Sequence, residues 1–141
     1  KRVTSQRFQS FINGKLGMLI DGTGKDLGKI KAMRHKLHHA GYDTFMVFVN
    51  TDLKVALDRN KKRDRVLPED IVKDSWHAVQ KNLGAFQSLF GANNMLVVDN
   101  TEYKQFAKVV KKAASSFVKR PIKNFVAKKW IKQELELRKG D

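Results

Sequence analysis

Thr44-Phe45-Met46-Val47-Phe48-Val49 is the stretch on which the fold turns. Every position after Thr44 is apolar, so a strand here has no polar face. That is the pattern of a strand inside a parallel sheet covered by helices. Upstream, Leu27, Ile30, Met33 and Leu37 recur at helical spacing across residues 25–40, and Gly41 follows as a C-terminal cap. Further back, Leu16-Gly-Met-Leu-Ile20 is a short apolar run ended by Asp21-Gly-Thr-Gly24. It predicts a buried strand and a tight loop. Residues 1–13 are basic and carry Val3, Phe8, Phe11 and Ile12, which predicts an amphipathic helix closed by Asn13-Gly14.

Downstream, Thr51 or Asp52 can cap a helix in which Leu53, Ala56, Leu57 and Asn60 form the packed face. Arg59 and Arg63 lie four apart, so one helix would stack them a turn from each other on a different face. Arg65 falls just past the predicted helix end, and Pro68 opens the next helix. That helix runs to about residue 90 through Ile71, Val72, Trp76, Val79, Leu83 and Phe86. Asn94-Met-Leu-Val-Val98 is the third predicted strand, ending at Asp99-Asn100. The alternation predicts an α/β three-layer sandwich with a mainly parallel sheet and right-handed crossovers. Ligands gather at the carboxyl ends of such strands, here Asp21, Asn50 and Asp99.

The 141 residues suffice for one domain with a real core, and 41% hydrophobic content is ordinary for a globular chain. Charge is not ordinary: 29 basic against 14 acidic residues give +15, which calls for an anionic partner. The excess is localised. Between Tyr103 and Gln133 there are ten basic residues and no acidic one. This divides the chain into a core, 1–100, and a basic helical extension, 101–141, packed on it. Tyr103, Phe106, Val109, Val110, Ala113 and Phe117 make one apolar helical face. After Pro121, a second helix carries Phe125, Val126, Trp130 and Ile131. Helical spacing favours turning Phe117, Phe125 and Trp130 toward the core and the lysines outward. In the other reading the lysines follow a phosphate backbone while these aromatics pack or stack beside them. The candidate nucleic-acid contacts are Lys108, Lys111, Lys112, Lys119, Arg120, Lys123, Lys128 and Lys129.

No apolar run approaches the roughly 18 residues of a membrane span, and no signal peptide is visible, so no membrane partner is expected. The absence of cysteine excludes disulfides and thiolate metal sites and fits a reducing compartment, with the cytoplasm as the expected location. His35, His38 and His39 share one predicted helix, but no acidic third ligand is nearby, and no metal site is assigned. Asp21-Gly22-Thr23-Gly24-Lys25 has glycines and helix-start amides suited to an anion, yet the pattern G-x-x-x-x-G-K-[S/T] occurs nowhere in the chain. The same loop is similar to the nucleophilic loop of haloacid dehalogenase-type phosphatases. That family needs a second aspartate where Thr23 stands.

Taken together, a strand ending in Asp21-Gly-Thr-Gly24, then Gly41-Tyr42, Phe45-Met-Val-Phe-Val-Asn50, Arg59-Asn60-x-x-Arg63 and Pro68 resemble the second half of a P-loop kinase. The likeness is to the polynucleotide kinase and zeta-toxin-like group and spans residues 16–100. It implies ATP and Mg2+ as cofactors, a nucleotide partner, and phosphoryl transfer to a hydroxyl on a nucleic-acid end or a nucleotide sugar. It also implies that Arg59 and Arg63 are lid arginines on nucleotide phosphates, with Arg65 close by, and that Arg63 stabilises the transferring group. Asp21 would stand near the acceptor, with Gly22, Thr23 and Lys25 in its loop, and Asn100 near the base. In that group the phosphate loop and the acid that activates the acceptor precede the part present here. Either the polypeptide continues upstream, or that half is supplied elsewhere, or the fold survives without activity, and a start at Lys1 and not methionine favours the first expectation. The alternative is a non-catalytic basic module that binds nucleic acid or a larger assembly.

Overall fold

A computed structural model describes residues 2–102 and 106–140, of Arg2 the backbone only. Tyr103 and Lys104, which the sequence places at the start of the basic extension, lie outside the described residues. The elements are, in order, α1 Arg2–Asn13, α2 Leu27–His39, β1 Met46–Asn50, α3 Leu53–Lys61, α4 Glu69–Phe90, β2 Met95–Asp99, α5 Phe106–Val118 and α6 Phe125–Leu137. A single 3₁₀ turn, Ala92–Asn94, leads into β2. The chain is mixed α/β and mostly helical.

The two strands pair in parallel, Met46 beside Met95 and Asn50 beside Asp99. Both are the apolar runs predicted for a sheet interior. A two-stranded sheet is not stable alone, so it depends on what covers it. On one side lies α4, whose Val72, Trp76, Val79, Leu83, Phe86 and Phe90 recur at steps of three and four. Phe86 is fully buried, and its ring stands 6.2 Å from that of Phe48 in β1. Val98, Phe90, Leu37 and Ile12 complete the buried apolar set. Glu69 and Asp70 occupy the first turn of α4, where carboxylates meet the positive end of the helix dipole.

Residues 16–20, predicted as the first of three strands, form none. Leu19 is 100% exposed, and Leu16 and Ile20 are about half exposed. Apolar residues alone do not make a strand. A ladder partner is required, and among the described residues none lies beside this run. Asp21 therefore does not stand at a strand end, and the sheet has two strands where three were predicted. Only the start of the run is held: the Tyr42 hydroxyl donates to the carbonyls of Phe11 and Leu16, both at 3.0 Å. Helix α1 ends at Asn13, where Asn13-Gly14 was predicted to close it, with the Gly14 amide on the Ser10 carbonyl at 2.9 Å; Lys15, in the left-handed region at φ 54°, completes the turn.

The extension engages the rest of the chain at defined points. Helix α5 packs on β2, and Phe117 stacks on Phe45 with ring centroids 5.1 Å apart. Helix α6 is seated by Asn124, a buried N-cap whose Oδ1 accepts from the amides of Val126 and Ala127. The Asn124 Nδ2 donates to the carbonyls of His38 and Tyr42, at 2.8 and 3.2 Å. Gly41, at φ 99°, lets Ala127 approach so closely that a Cβ there would sit 3.3 Å from the Ala127 amide nitrogen. This seat decides which side of α6 turns inward. Ala127, Ile131 and Glu134 are half-buried, whereas Phe125 is 78% exposed and Trp130 39%. The aromatics predicted as core divide accordingly: Phe117 is packed, but Phe125 and Trp130 face outward.

Candidate functional site

The carboxyl ends of β1 and β2 are tied into a hydrogen-bonded knot. The Asn100 amide donates to the Asn50 carbonyl at 2.7 Å, continuing the ladder past the strands. The Gln80 side chain of α4 donates to Asn50 Oδ1 at 2.7 Å, and the Trp76 indole N–H donates to the Thr51 carbonyl at 2.8 Å. The Asp52 amide donates to the Thr101 hydroxyl, while the Asp52 carboxylate caps α3 through the Lys54 amide. Asp99 accepts from the Thr101 amide at 2.8 Å. The Thr101 side chain, and then this amide, hold the Asp99 carboxyl below its ordinary value.

Arg59 belongs to the knot. Its Nη2 donates to the carbonyls of Asn100 and Thr101, at 2.7 and 3.2 Å. It thereby fastens the last turn of α3 to the carboxyl end of β2. Sequence spacing predicted Arg63 one turn further along the same helix. The helix instead ends at Lys61, and Arg63 lies in the turn beyond it, its amide bonded to the Asn60 carbonyl. Two causes are visible. Leu67 precedes Pro68, which disfavours helical geometry there. The buried Asn60 side chain also captures Leu67 from both sides, donating to its carbonyl at 2.8 Å and accepting from its amide at 3.1 Å.

The result is a closed loop, 62–67, pinned at its base. Lys62, Arg63, Asp64, Arg65 and Leu67 line an open groove of about 690 Å³. Arg63 and Arg65 are exposed, and neither has a carboxylate partner among the described residues. Below the groove, Lys61 pairs with Glu69 at 3.2 Å and Lys73 with the same carboxylate at 3.7 Å. The hydrogen bond from Lys61 is the main cause holding the Glu69 carboxyl below its ordinary value. The lining carries two guanidinium forks and an ammonium group against the single Asp64 carboxylate, a positive excess that suits phosphate oxygens.

The other predicted site residues are less closely organised. Asp21, Gly22, Thr23 and Lys25 are exposed in the irregular stretch before α2. Asn82 of α4 fixes the end of that stretch, donating to the carbonyls of Gly24 and Lys25 at 3.1 and 3.0 Å. Gly24 adopts φ 74° over Phe86. Asp26 then caps α2 through the Lys29 amide, which together with the Lys29 ammonium keeps its carboxyl low. The Asn100 side-chain oxygen is buried without a hydrogen-bond partner.

In the extension, Lys108, Lys111, Lys112, Lys119, Lys123, Lys128 and Lys129 are all exposed. Arg120 differs. It donates to the Asn93 carbonyl at 2.6 Å and lies over the rings of Phe45 and Phe117, so it anchors α5 to the turn before β2. The rings of His35 and His39 lie 4.1 Å apart, and among the described residues no group of three potential metal ligands assembles.

Residue spacing did not expose the roles of Asn60, Trp76, Gln80 and Asn82, because each acts across the fold. Asn124 did carry a signal: an asparagine immediately before an apolar helical run is an N-cap. No curated protein and no solved structure compared with the chain matches it. The zeta toxin family model matches residues 1–127, nearly the whole chain and the strands, knot and arginine loop with it, and the chain belongs to the zeta toxin family.

Proposed function

We propose that this chain takes part in ATP-dependent phosphoryl transfer to a hydroxyl acceptor, on a nucleic-acid end or a nucleotide sugar, and that its arginine loop binds the nucleotide phosphates. Family membership points to kinase-like phosphotransfer and favours it over a non-catalytic module. One observation carries the rest: the pinned loop with Arg63 and Arg65 is fastened, through Arg59, beside the carboxyl ends of parallel strands. Ligands of open α/β sheets bind at such ends. Arg63 acts on the transferring phosphoryl group, whose charge is spread over its oxygens. An arginine so placed is worth on the order of 10³–10⁵ in rate. Arg65 holds further phosphate oxygens, and Arg59 acts by holding the loop in position. Asp21 orients the acceptor, and Asn100 lies toward the base.

The donor set fits ATP on its phosphate side. Mg2+ accompanies ATP in this reading. Such an ion is held largely by the substrate phosphates, water and one or two carboxylates, so it needs no cluster of three protein ligands, and among the described residues none assembles. The sequence contains no G-x-x-x-x-G-K-[S/T], the loop that cradles β- and γ-phosphates in P-loop enzymes, so the part assigned to this chain is the arginine side of the nucleotide. In the same reading the two strands are part of a wider, mainly parallel sheet in a three-layer sandwich. The exposed Val49 and Val97, and the exposed apolar run 16–20, support that extension. Residues 1–100 then form the kinase-like core and 101–141 its extension.

Radiolabelled phosphate transfer from ATP to oligonucleotide ends and to nucleotide sugars, by the intact protein, tests this. Arg63→Ala should lower turnover at saturating ATP by about 10³-fold or more, with ATP binding weakened but not abolished. Unchanged turnover in Arg63→Ala would overturn it.

A further inference from the structure

The outward side of α6 juxtaposes an exposed aromatic ring with a cluster of lysines. At about 100° per residue, Lys128, Lys129 and Lys132 fall within about 60° of Phe125 around the helix. All four are exposed, and Phe125 most of all at 78%. Asn124, the residue before Phe125, caps the helix and seats its first turn on α2. Within this arc of the helix Phe125 has only lysines and Glu136 as neighbours, while Val126, about 100° away, is exposed beside it. The nearest acid on this side is Glu136, 3.9 Å from Lys132 at the far end of the helix.

We propose that this face binds single-stranded nucleic acid, with Phe125 as a stacking platform for one base and Lys128, Lys129 and Lys132 following the phosphates. Every base has a π face, so stacking between lysines gives affinity with little sequence preference. An anionic membrane surface fits less well. Exposed Val126, Trp130 and Leu137 lie together at about 100–140° from Phe125, but an interfacial helix separates its apolar face from its cations, and Phe125, the most exposed ring, stands among the lysines. The exposed lysines of α5 extend the positive field without a comparable ring beside them. This inference goes beyond the phosphotransfer reading and does not need it, because binding is measured without ATP.

The test is fluorescence anisotropy of labelled oligothymidine with the full chain, over a series of salt concentrations. Phe125→Ala should weaken binding about 5-fold or more with the salt slope unchanged. Lys128→Ala, Lys129→Ala and Lys132→Ala combined should reduce the log–log salt slope by about 2, at about 0.7 per phosphate contact. Phe125→Trp should bind at least as tightly as the wild type. Thermal unfolding should be the same for wild type and Phe125→Ala, since the ring is exposed. Wild-type affinity in Phe125→Ala, a salt slope unmoved by the lysine changes, or capture by phosphatidylserine vesicles with no oligothymidine binding would each overturn the proposal.

Discussion

Residues 46–50 and residues 16–20 look alike as sequence: each is a short apolar run followed by a polar turn and a helix. In the structure they diverge. The first is a strand whose end is held by Asn100, Gln80 and Trp76, and the helix after it delivers a pinned basic loop. The second forms no strand, and Leu19 stands fully in solvent. The difference is not propensity. Met46–Asn50 has a neighbour, Met95–Asp99, to complete its ladder, and residues 16–20 have none among the described residues. Strand character in one segment becomes structure only when a second segment satisfies its backbone. The loop that follows is likewise set from a distance: Asn60 fixes 62–67, while Asn82 holds only the end of 21–25.

Phe86 offers the strongest way to break the contrast, because it packs against Phe48 under one region and lies 3.8 Å from a Cβ built at Gly24 in the other. Phe86→Ala should cost about 3–5 kcal/mol in urea unfolding and loosen both regions together. Asn60→Ala should separate them. Losing both bonds to Leu67 should cost about 1–3 kcal/mol and raise amide exchange in 62–67, leaving 16–25 unchanged. Trp76→Phe keeps an aromatic ring but removes the bond to Thr51 and part of the indole volume, so a loss of about 1 kcal/mol or somewhat more is expected. Leu19→Ser should leave stability within about 0.5 kcal/mol, as for an exposed side chain that touches nothing.

A pH titration sharpens the same contrast at the smallest scale. The Asp99 carboxyl is lowered in the folded chain, so its bond to Thr101 contributes above the ordinary carboxylate range and is lost as pH falls through the folded value. The Thr101 amide signal in NMR should therefore move with a midpoint below 3.8.

Much of this was legible in the residues. The two continuous apolar runs identify the parallel strands, and the three-and-four spacing from Val72 to Phe86 identifies α4. The Arg59-Asn60-x-x-Arg63 segment marks the right place but not the right geometry. A helix drawn through Arg63 overlooks that a buried amide can bond Leu67 more favourably than the next helical turn bonds itself. Outward-facing Phe125 was illegible for a related reason. Its helical spacing is compatible with burial, and the choice of face depends on the close fit of Gly41 to Ala127. Pairwise fits of that kind leave no periodic trace.

The central claim, that the Asn60-pinned loop is the phosphate-binding element, is tested most directly by calorimetric titration of ATP into wild type, Arg63→Ala and Asp21→Ala. The account predicts salt-sensitive binding by the wild type, about tenfold or greater weakening in Arg63→Ala, and near wild-type affinity in Asp21→Ala, where an acid and not a phosphate ligand is lost. Equal affinity in wild type and Arg63→Ala would contradict it.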